Sequence, residues 1–351
     1  MSNRKKILIT GGAGFIGINA ARHFLRKNYT VTIFDNFSRK GTDINVANLE
    51  KEFPGGFKVV KGDVRYDRDL LEREVSEHDV VLHLAAQVAV TTSIIDPRTD
   101  FEINALGTFN VLEAVRISHN KPFVIYTSTN KVFGALEGLP VREDGKRFRF
   151  ISDEHHEYGV SEVYPLDFHS PYGVSKGVAD QYTIDYSRIY GLKTVVFRQS
   201  CIYGTNQFGV EDQGWLAWFT IAAMTGRPIT IYGTGKQIRD VLFVDDVVKL
   251  YELAIDNQDI VNGKAYNIGG GPTNTLSLIE LLEHLDTKMD YQPELQYAQP
   301  RAGDQPVFVA DIRRAKNELG WEPQVTVEAG IEQMHQWLKD NKEDVIRVSN
   351  A

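Results

Sequence analysis

The chain has 351 residues, 42% hydrophobic and 25% charged, a composition typical of a globular protein long enough for two domains or lobes. Its formal net charge of −8 argues against general nucleic-acid binding, and a single cysteine, Cys201, excludes an internal disulfide. The longest apolar stretch, residues 80–90, is too short to span a membrane, and the polar start of the chain has no signal sequence, so we expect a cytoplasmic protein.

The first predicted elements are a strand, a glycine-rich turn and a helix. Residues 6–10 form an apolar run that leads into Gly11, Gly14 and Gly17, and residues 15–26 have the apolar spacing of an amphipathic helix. Glycines permit a tight turn and let a pyrophosphate approach the amides at a helix N-terminus. This order of elements predicts a dinucleotide-binding motif.

A second predicted strand, residues 30–34, ends at Asp35, about 20 residues beyond the glycines. A carboxylate at this position accepts hydrogen bonds from the adenosine ribose and repels a 2′-phosphate, so it favours NAD over NADP. Arg39 and Lys40 follow closely, and their positive charges keep NADP open as an alternative.

Alternation of strand and helix patterns continues along the first part of the chain. Further strands are predicted at residues 57–61, 80–84, 123–127 and 194–198. The pattern predicts an α/β fold with a Rossmann-type, doubly wound parallel sheet, in which ligands bind at the carboxyl ends of the strands. We predict an NAD-binding Rossmann domain over residues 1–200 and a smaller, mixed α/β substrate-binding lobe over 201–351, from which residues of about 236–268 return to the Rossmann domain.

The second part of the chain has a different rhythm. The polar connection over residues 134–170 is long enough to predict a flap on the substrate side. Trp215, Trp218 and Phe219 recur at helical spacing, which favours packing on a core, and another helix is predicted near residues 276–285. The nine histidines show no metal-ligand spacing, so no metal site is expected.

Tyr172 and Lys176 lie four residues apart in a predicted helix and therefore share one face. Ser170 and Pro171 are typical of an N-cap and the first helical turn. Because tyrosine titrates near pH 10, action as a base near pH 7 requires about 4 kcal/mol of stabilisation of the phenolate. Lys176 is expected to supply part of this stabilisation, and a bound cationic nicotinamide more.

The chain resembles the extended short-chain dehydrogenase/reductase family of nucleotide-sugar epimerases and dehydratases over nearly its whole length. The resemblance rests on TGGAGFIG (10–17), DN (35–36), GDVR (62–65), HLAAQ (83–87), NALGT (104–108), STNKVFG (128–134), SPYGVSK (170–176), RDVLFVDD (239–246) and LGWEP (319–323). It implies that Thr129 hydrogen-bonds the reacting sugar hydroxyl and that Tyr172 is the catalytic base. Lys176 would hold the nicotinamide ribose and lower the Tyr172 pKa.

The resemblance also implies two sets of binding residues. Cofactor contacts are expected at Gly11, Gly14, Phe15, Ile16, Gly17, Asp35, Asn36, Ser38, Arg39, Asp63, Val64, Leu84, Ala85, Ala86, Gln87, Thr127, Tyr172, Lys176 and Gln199. Substrate contacts are expected at Gln87, Thr129, Asn130, Lys131, His169, Gln207, Phe208, Gln213, Trp215, Tyr232, Arg239, Arg301 and Asp304. Within the second set, the two arginines match positions that clamp the sugar-nucleotide diphosphate.

Two residues indicate which reaction of the family to expect. Dehydratases of the family have Asp-Glu directly after the threonine, whereas this chain has Asn130 and Lys131. An amide cannot donate a proton to a leaving hydroxyl, and lysine replaces poorly the glutamate that removes a carbon-bound proton. The departure disfavours 4,6-dehydration and favours epimerisation by oxidation and re-reduction of one carbon.

The Thr-Asn-Lys sequence, with residues 87–93, 166–170, 212–215 and 235–237, resembles the branch that epimerises CDP-linked hexoses at carbon 2, of the CDP-paratose/CDP-tyvelose or CDP-glucose type. This branch implies a 2-keto intermediate, retained NAD and assembly into homodimers or homotetramers. A UDP-sugar 4-epimerase of the UDP-glucose/galactose type stays open, as does a non-catalytic NAD-sensing protein. The intact Thr129, Tyr172 and Lys176 argue against the sensor, which needs no proton relay.

Overall fold

The computed structural model describes residues 4–301 and 304–350. The strands are β1 (Lys6–Thr10), β2 (Thr30–Asp35), β3 (Phe57–Lys61), β4 (Val80–His83), β5 (Phe123–Thr129), β6 (Val141–Asp144), β7 (Arg147–Phe150), β8 (Thr194–Gln199), β9 (Cys201–Tyr203), β10 (Ile229–Tyr232), β11 (Ile238–Phe243), β12 (Lys264–Ile268), β13 (Thr275–Ser277), β14 (Leu295–Ala298) and β15 (Val307–Phe308).

The helices are α1 (Phe15–Arg26), α2 (Thr42–Glu52), α3 (Arg68–Ser76), α4 (Val90–Ile95), α5 (Pro97–Phe101), α6 (Gly107–Ile117), α7 (Asp153–Tyr158), α8 (Ser170–Tyr190), α9 (Trp215–Thr225), α10 (Val244–Asp256), α11 (Gln258–Val261), α12 (Leu278–Met289), α13 (Arg313–Leu319), α14 (Val327–Asp340) and α15 (Lys342–Asn350). A π-helical turn covers Glu102–Leu106, and a 3₁₀ turn covers Asn130–Phe133. Within the described residues, no helix is both long and apolar enough to cross a bilayer.

The chain divides into two compact units. The first contains the residues up to Thr129, with Ser170–Arg198 and Val248–Tyr266. The second contains Asn130–His169, Gln199–Val247 and the residues from Asn267 onward.

The central sheet of the first unit has the predicted Rossmann-type architecture. Its seven strands follow the order β12-β8-β5-β4-β1-β2-β3, and the pairs β1–β2, β1–β4, β2–β3 and β4–β5 are parallel. The strand order reverses between β1 and β4, where doubly wound sheets bind their ligands beyond the carboxyl ends of the strands. The predicted fold class is therefore confirmed.

The predicted strands of this sheet are present and differ from the observed ones only in the residue at which they end. The strand predicted at 80–84 stops at His83, and those predicted at 123–127 and 194–198 continue to Thr129 and Gln199. The extension of β5 is relevant to function, because Thr129 becomes the last residue of a strand whose side chains are all buried.

The second unit contains a sheet in which β11 pairs with β13 antiparallel and with β9 and β15 parallel. β10 pairs with β14, and β6 and β7 form an antiparallel hairpin. The helix predicted at 276–285 begins at Leu278, because Ser277 forms a capping box with Glu280 after β13.

The connection over residues 134–170 is not a free flap. Leu136, Phe150 and Val160 are buried in one apolar cluster with Phe133 and Phe308. The single domain boundary predicted near residue 200 is therefore wrong for Asn130–His169, which belongs to the second unit because its apolar side chains pack there. Val248–Tyr266 lies with the first unit, inside the range predicted to return to it.

Candidate functional site

The turn after β1 is shaped by glycines. Gly11 has φ +68°, and a Cβ there would lie 2.7 Å from the backbone nitrogen of Ala85. A Cβ on Gly17 would lie 2.4 Å from the carbonyl oxygen of Gly11. α1 begins after Gly14, which has no side chain to cap it. The result is a bare backbone cradle at a helix N-terminus, a geometry that fits a pyrophosphate.

Asp35 ends β2 beside this turn. Its carboxylate accepts hydrogen bonds from the backbone N–H groups of Ala13, at 3.0 Å, and Phe37, at 2.8 Å. Burial raises the Asp35 pKa, while these bonds and the positive charge of Arg39 act in the opposite direction. Two oxygens fixed by backbone donors retain lone pairs that can accept from ribose hydroxyls.

Asp63 follows β3 and is held by its neighbours. Arg65 donates to its carboxylate at 2.8 Å and Asn36 donates at 2.8 Å. Burial alone would raise the Asp63 pKa, but these hydrogen bonds lower it to about 2. The side chain of Val64 packs in the apolar core, and its carbonyl oxygen accepts a hydrogen bond from the Asn110 side chain at 2.9 Å.

Tyr172, Thr129 and Lys176 lie together as predicted. Thr129 and Tyr172 are joined by a side-chain hydrogen bond, and Lys176 Nζ donates to the Thr127 carbonyl oxygen at 2.6 Å. Lys176 Nζ also lies 4.5 Å from the centre of the Tyr126 ring. The helix that carries the pair begins at Ser170, whose hydroxyl accepts from Gly173 N–H at 3.2 Å and so acts as the predicted cap.

The expectation that Lys176 lowers the Tyr172 pKa is wrong for this structure. Burial raises the Tyr172 pKa to about 12, and the groups that oppose this are the Thr129 hydroxyl and the Arg39 charge. Burial also lowers the Lys176 pKa to about 7. The reason is desolvation, which penalises the charged form of both groups and outweighs their favourable neighbours.

A network of polar side chains contacts the helix that carries Tyr172 and Lys176. Sequence reasoning did not predict this network. Ser175 donates to Asp100 at 2.5 Å, and Asn104 donates to the other carboxylate oxygen at 3.1 Å. The Gln87 side chain, predicted to line the cofactor channel and contact substrate, donates to Asp100 at 2.9 Å and to the Ala89 carbonyl at 2.8 Å. The sequence signal that could have revealed this network is the four-residue spacing of Asp100 and Asn104.

Three charged residues gather in the second unit. Arg239 donates to Asp304 at 2.5 Å, and Lys131 Nζ lies 3.8 Å from the same carboxylate oxygen. Burial and the charge of Arg239 lower the Lys131 pKa to about 8, although Asp304 opposes them. Two cations thus share the Asp304 carboxylate, and the three side chains together carry a formal charge of +1, which suits an anion.

Asn130 is tied to the same region through a residue that sequence reasoning missed. Its amide donates to Gln305 Oε1 at 3.0 Å, and Gln305 donates to the Gly134 carbonyl oxygen at 2.6 Å. Gln305 is 175 residues from Asn130, so no local pattern in the sequence could reveal this contact.

A second cation lies on an aromatic ring. The guanidinium carbon of Arg301 is 3.9 Å from the centre of the Tyr232 ring, and the side chain pairs with Asp212 at 3.0 Å. The predicted contacts Arg301 and Tyr232 are therefore neighbours. Gln207 is buried, and its Oε1 accepts no hydrogen bond within the described residues, which leaves an acceptor for a ligand.

The other predicted substrate residues have structural partners. Phe208 and Trp215 pack on the apolar core of the second unit, and Trp215 Nε1 donates to Cys201 Sγ at 2.9 Å. Gln213 exchanges backbone hydrogen bonds with Val210, and His169 lies 3.1 Å from Asp167. Direct contact of these residues with substrate stays a prediction, as do cofactor contacts at Phe15, Ile16, Ser38, Leu84, Ala86, Thr127 and Gln199.

Residues 8–334 match the family model described as GDP-mannose 4,6 dehydratase. The chain is 44% identical over 339 residues to a CDP-paratose 2-epimerase of Salmonella typhi, covering 95% of this chain and 98% of the relative. It is 34% identical to a putative UDP-glucose 4-epimerase of Methanocaldococcus jannaschii, covering 95% and 99%. The structure of a Thermus thermophilus UDP-glucose 4-epimerase in complex with NAD matches with a TM-score of 0.79, 30% identity and coverage of 95% and 99%.

Proposed function

Because the chain belongs to the GDP-mannose 4,6 dehydratase family of extended short-chain dehydrogenases/reductases, we propose that it is an NAD-dependent isomerase that epimerises a CDP-linked hexose at carbon 2. The observation that carries epimerisation over dehydration is at Asn130 and Lys131. Their side chains engage Gln305 and Asp304, and neither is the carboxylic acid that elimination of water requires.

The glycine turn and Asp35 fit NAD. A Cβ on Gly11 or Gly17 would fill space against backbone atoms, and Asp35 presents fixed oxygens after β2. Gly11, Gly14 and Gly17 would hold the pyrophosphate, Asp35 and Asn36 the adenosine ribose, and Lys176 the nicotinamide ribose. When bound, NAD supplies the acceptor for the hydride that leaves the sugar carbon and the donor that returns it.

Tyr172 moves the proton in this proposal. Its phenolate oxygen accepts the proton of the sugar hydroxyl as the carbon is oxidised to a ketone, and returns it when the ketone is reduced from the other face. Thr129, hydrogen-bonded to Tyr172, orients the same hydroxyl. The Thr129 hydroxyl and the Arg39 charge stabilise the phenolate, since both act to lower the Tyr172 pKa. Each cycle returns the proton and the hydride, so the product is an isomer and nothing is consumed.

The second unit supplies recognition of the nucleotide. We assign the diphosphate to Arg239, with Lys131 and Asp304 beside it, because this cluster carries net positive charge and a guanidinium. Gln207 offers its buried carbonyl oxygen to a donor of the base or sugar. The 44% identity to the CDP-paratose 2-epimerase over 95% of the chain supports the CDP-linked substrate.

A UDP-sugar 4-epimerase is the second candidate. It is favoured by the 34% identity to the putative UDP-glucose 4-epimerase and by the structural match to the Thermus thermophilus enzyme. The two reactions use the same proton and hydride chemistry and differ in the sugar carbon that reacts.

Proton NMR in heavy water with CDP-paratose, CDP-glucose and UDP-glucose separates these functions. The proposal expects a carbon 2 epimer of a CDP-sugar without deuterium at that carbon, because the hydride returns internally. Deuterium at carbon 2 would instead indicate direct deprotonation, and a carbon 4 epimer of UDP-glucose would favour the second candidate.

Tyr172→Phe is the control for the chemistry. It removes the phenolic oxygen but keeps the ring, so turnover should fall at least about a hundredfold while NAD binding is retained. Full activity of this variant would contradict the assignment of Tyr172 as base.

A further inference from the structure

Asp100 is a buried carboxylate that the proposed reaction does not use. It lies on α5, is 1% exposed, and accepts hydrogen bonds from Ser175 at 2.5 Å, Gln87 at 2.9 Å and Asn104 at 3.1 Å. All three donors are neutral. They satisfy the oxygens of the carboxylate but do not cancel its charge.

The charge of Asp100 acts on Lys176. Burial lowers the Lys176 pKa, and the two carboxylates that oppose this effect are Asp180 and Asp100. Asp180 is neutralised by Arg198, which donates two hydrogen bonds of 2.9 and 3.0 Å, with both side chains at most 5% exposed. Asp180 has the larger effect on the Lys176 pKa, but its charge is compensated by Arg198, whereas Asp100 has no cationic hydrogen-bond partner among the described residues and acts on Lys176 with an uncompensated charge.

The other groups around Lys176 carry no charge near neutral pH. His83, on β4, has its pKa lowered to about 3 by burial and by Lys176. Tyr126, on β5, presents its ring to the ammonium, and burial raises its pKa well above the ordinary value. Tyr172 faces Asp100 and the Arg39 cation, and the partner of the Lys176 ammonium is a neutral carbonyl, that of Thr127.

The same network fixes the first turn of α8. The Ser175 hydroxyl lies 3.2 Å from the Tyr172 carbonyl oxygen, and Tyr172 N–H donates to Ser93 at 3.1 Å. Asn104, on the π-helical turn, also donates to Ser175 at 3.1 Å. Asp100 therefore touches the helix that carries both Tyr172 and Lys176.

We propose that Asp100 is the counterion of Lys176, a positioning residue that keeps the ammonium charged and anchors the start of α8 without touching the sugar. This inference rests on the proposed function for the role of Lys176. Asp100 acts through its electric field across the buried site, where charges are weakly screened.

Asp100→Asn tests the proposal with little change of shape. Ser175 can donate to the Tyr172 carbonyl and accept from the new amide, so the network survives without the charge. Because the carboxylate raises the pKa of both Lys176 and Tyr172, its loss should move both limbs of the kcat/KM pH profile to lower pH by about one unit. Limbs that stay in place while activity falls at every pH would overturn the proposal.

Two further variants separate charge from structure. Ser175→Ala removes a hydrogen bond but keeps the carboxylate, so its pH limbs should stay where they are in the unmodified protein. Asp100→Glu restores the charge and should bring the limbs back. Failure of Asp100→Glu to restore them, in a protein that unfolds at the unmodified temperature, would contradict a counterion role.

A readout without substrate distinguishes failure of this inference from failure of the proposed function. In protein labelled with ¹³C at the lysine ε-carbons, the resonance lost in Lys176→Met reports the Lys176 titration. It should move to lower pH in Asp100→Asn. If it moves although no sugar nucleotide is epimerised, the counterion stands and the proposed function fails; if it does not move, the counterion is wrong.

Discussion

Replacement of Lys131 by methionine should make nucleotide binding weaker and independent of pH. In the charged cluster, Lys131 and Arg239 share the Asp304 carboxylate at 3.8 and 2.5 Å. Methionine keeps the length of the side chain and takes the net charge of the three residues from +1 to zero. A unit charge about 5 Å from a phosphate contributes about 3 kcal/mol at an effective dielectric constant of about 20. Partial exposure reduces this to about 1.4 kcal/mol, a tenfold loss of affinity.

The pKa of Lys131 is lowered to about 8, and this value decides in which direction the nucleotide affinity should change with pH. The ammonium is present at pH 7 and is lost as pH rises through 8. The affinity for CDP, measured by isothermal titration calorimetry, should therefore fall about fivefold between pH 7 and pH 9, because about a tenth of the lysines are still protonated at pH 9. Measurements start at pH 7 because the last proton of a phosphate leaves near pH 6.

Lys146→Met is the matched control. Lys146 belongs to the same unit but is 58% exposed and pairs with Glu283, outside the cluster. This variant should keep the affinity and pH dependence of the unmodified protein. The reasoning is refuted if Lys131→Met retains the fall in affinity between pH 7 and pH 9, or if the unmodified protein shows none.

The remaining predictions concern the glycine turn, the buried ion pair and assembly. Gly17→Ala places a methyl group 2.4 Å from the Gly11 carbonyl oxygen, so NAD affinity should fall at least about tenfold in a fluorescence titration; unchanged affinity would contradict a pyrophosphate cradle. Arg198→Met leaves Asp180 buried without its cation and should cost about 3–5 kcal/mol in urea unfolding, whereas Arg198→Met with Asp180→Leu should recover most of this loss. A loss below about 1 kcal/mol would show that the pair contributes little. Light scattering should detect a dimer or tetramer, as the family resemblance implies.

The first unit was predictable because its signals are local. The glycine turn, the helix Phe15–Arg26 and the strand ending at Asp35 follow one another within the first 35 residues, and the helix and the strand each have their own apolar period. The strand bounds shifted by one or two residues because hydrogen bonding within the sheet, and not hydrophobicity, decides where a strand ends. This is why the strand predicted at 123–127 stops two residues short of Thr129, the last residue of the observed strand.

The second unit was less predictable because its contacts are distant in sequence. Residues 134–170 are polar overall, and the apolar side chains that fix them, such as Phe150, pack against Phe308. The Asn130–Gln305 hydrogen bond spans 175 residues. A sequence pattern records which side chains are apolar, but not which distant segment will cover them.

Electrostatics in the site were predicted in part. The i,i+4 spacing brought Tyr172 and Lys176 to one face, yet burial raises the first pKa to about 12 and lowers the second to about 7. Desolvation depends on all neighbouring atoms and cannot be inferred from spacing. The same limit hid Asp100, whose importance comes from neutral partners contributed by three separate segments.

One short segment of chain connects proton chemistry to the choice of reaction. The Thr127 carbonyl holds Lys176 and Thr129 binds Tyr172, while Asn130 and Lys131, next in sequence, bind Gln305 and approach Asp304. In the proposed function, the first pair of contacts serves the oxidation of the sugar hydroxyl. The second pair would decide whether an acid and a base are available for elimination. If the proposed function holds, substitution at residues 130 and 131 should change the outcome of the reaction and leave the oxidation step intact.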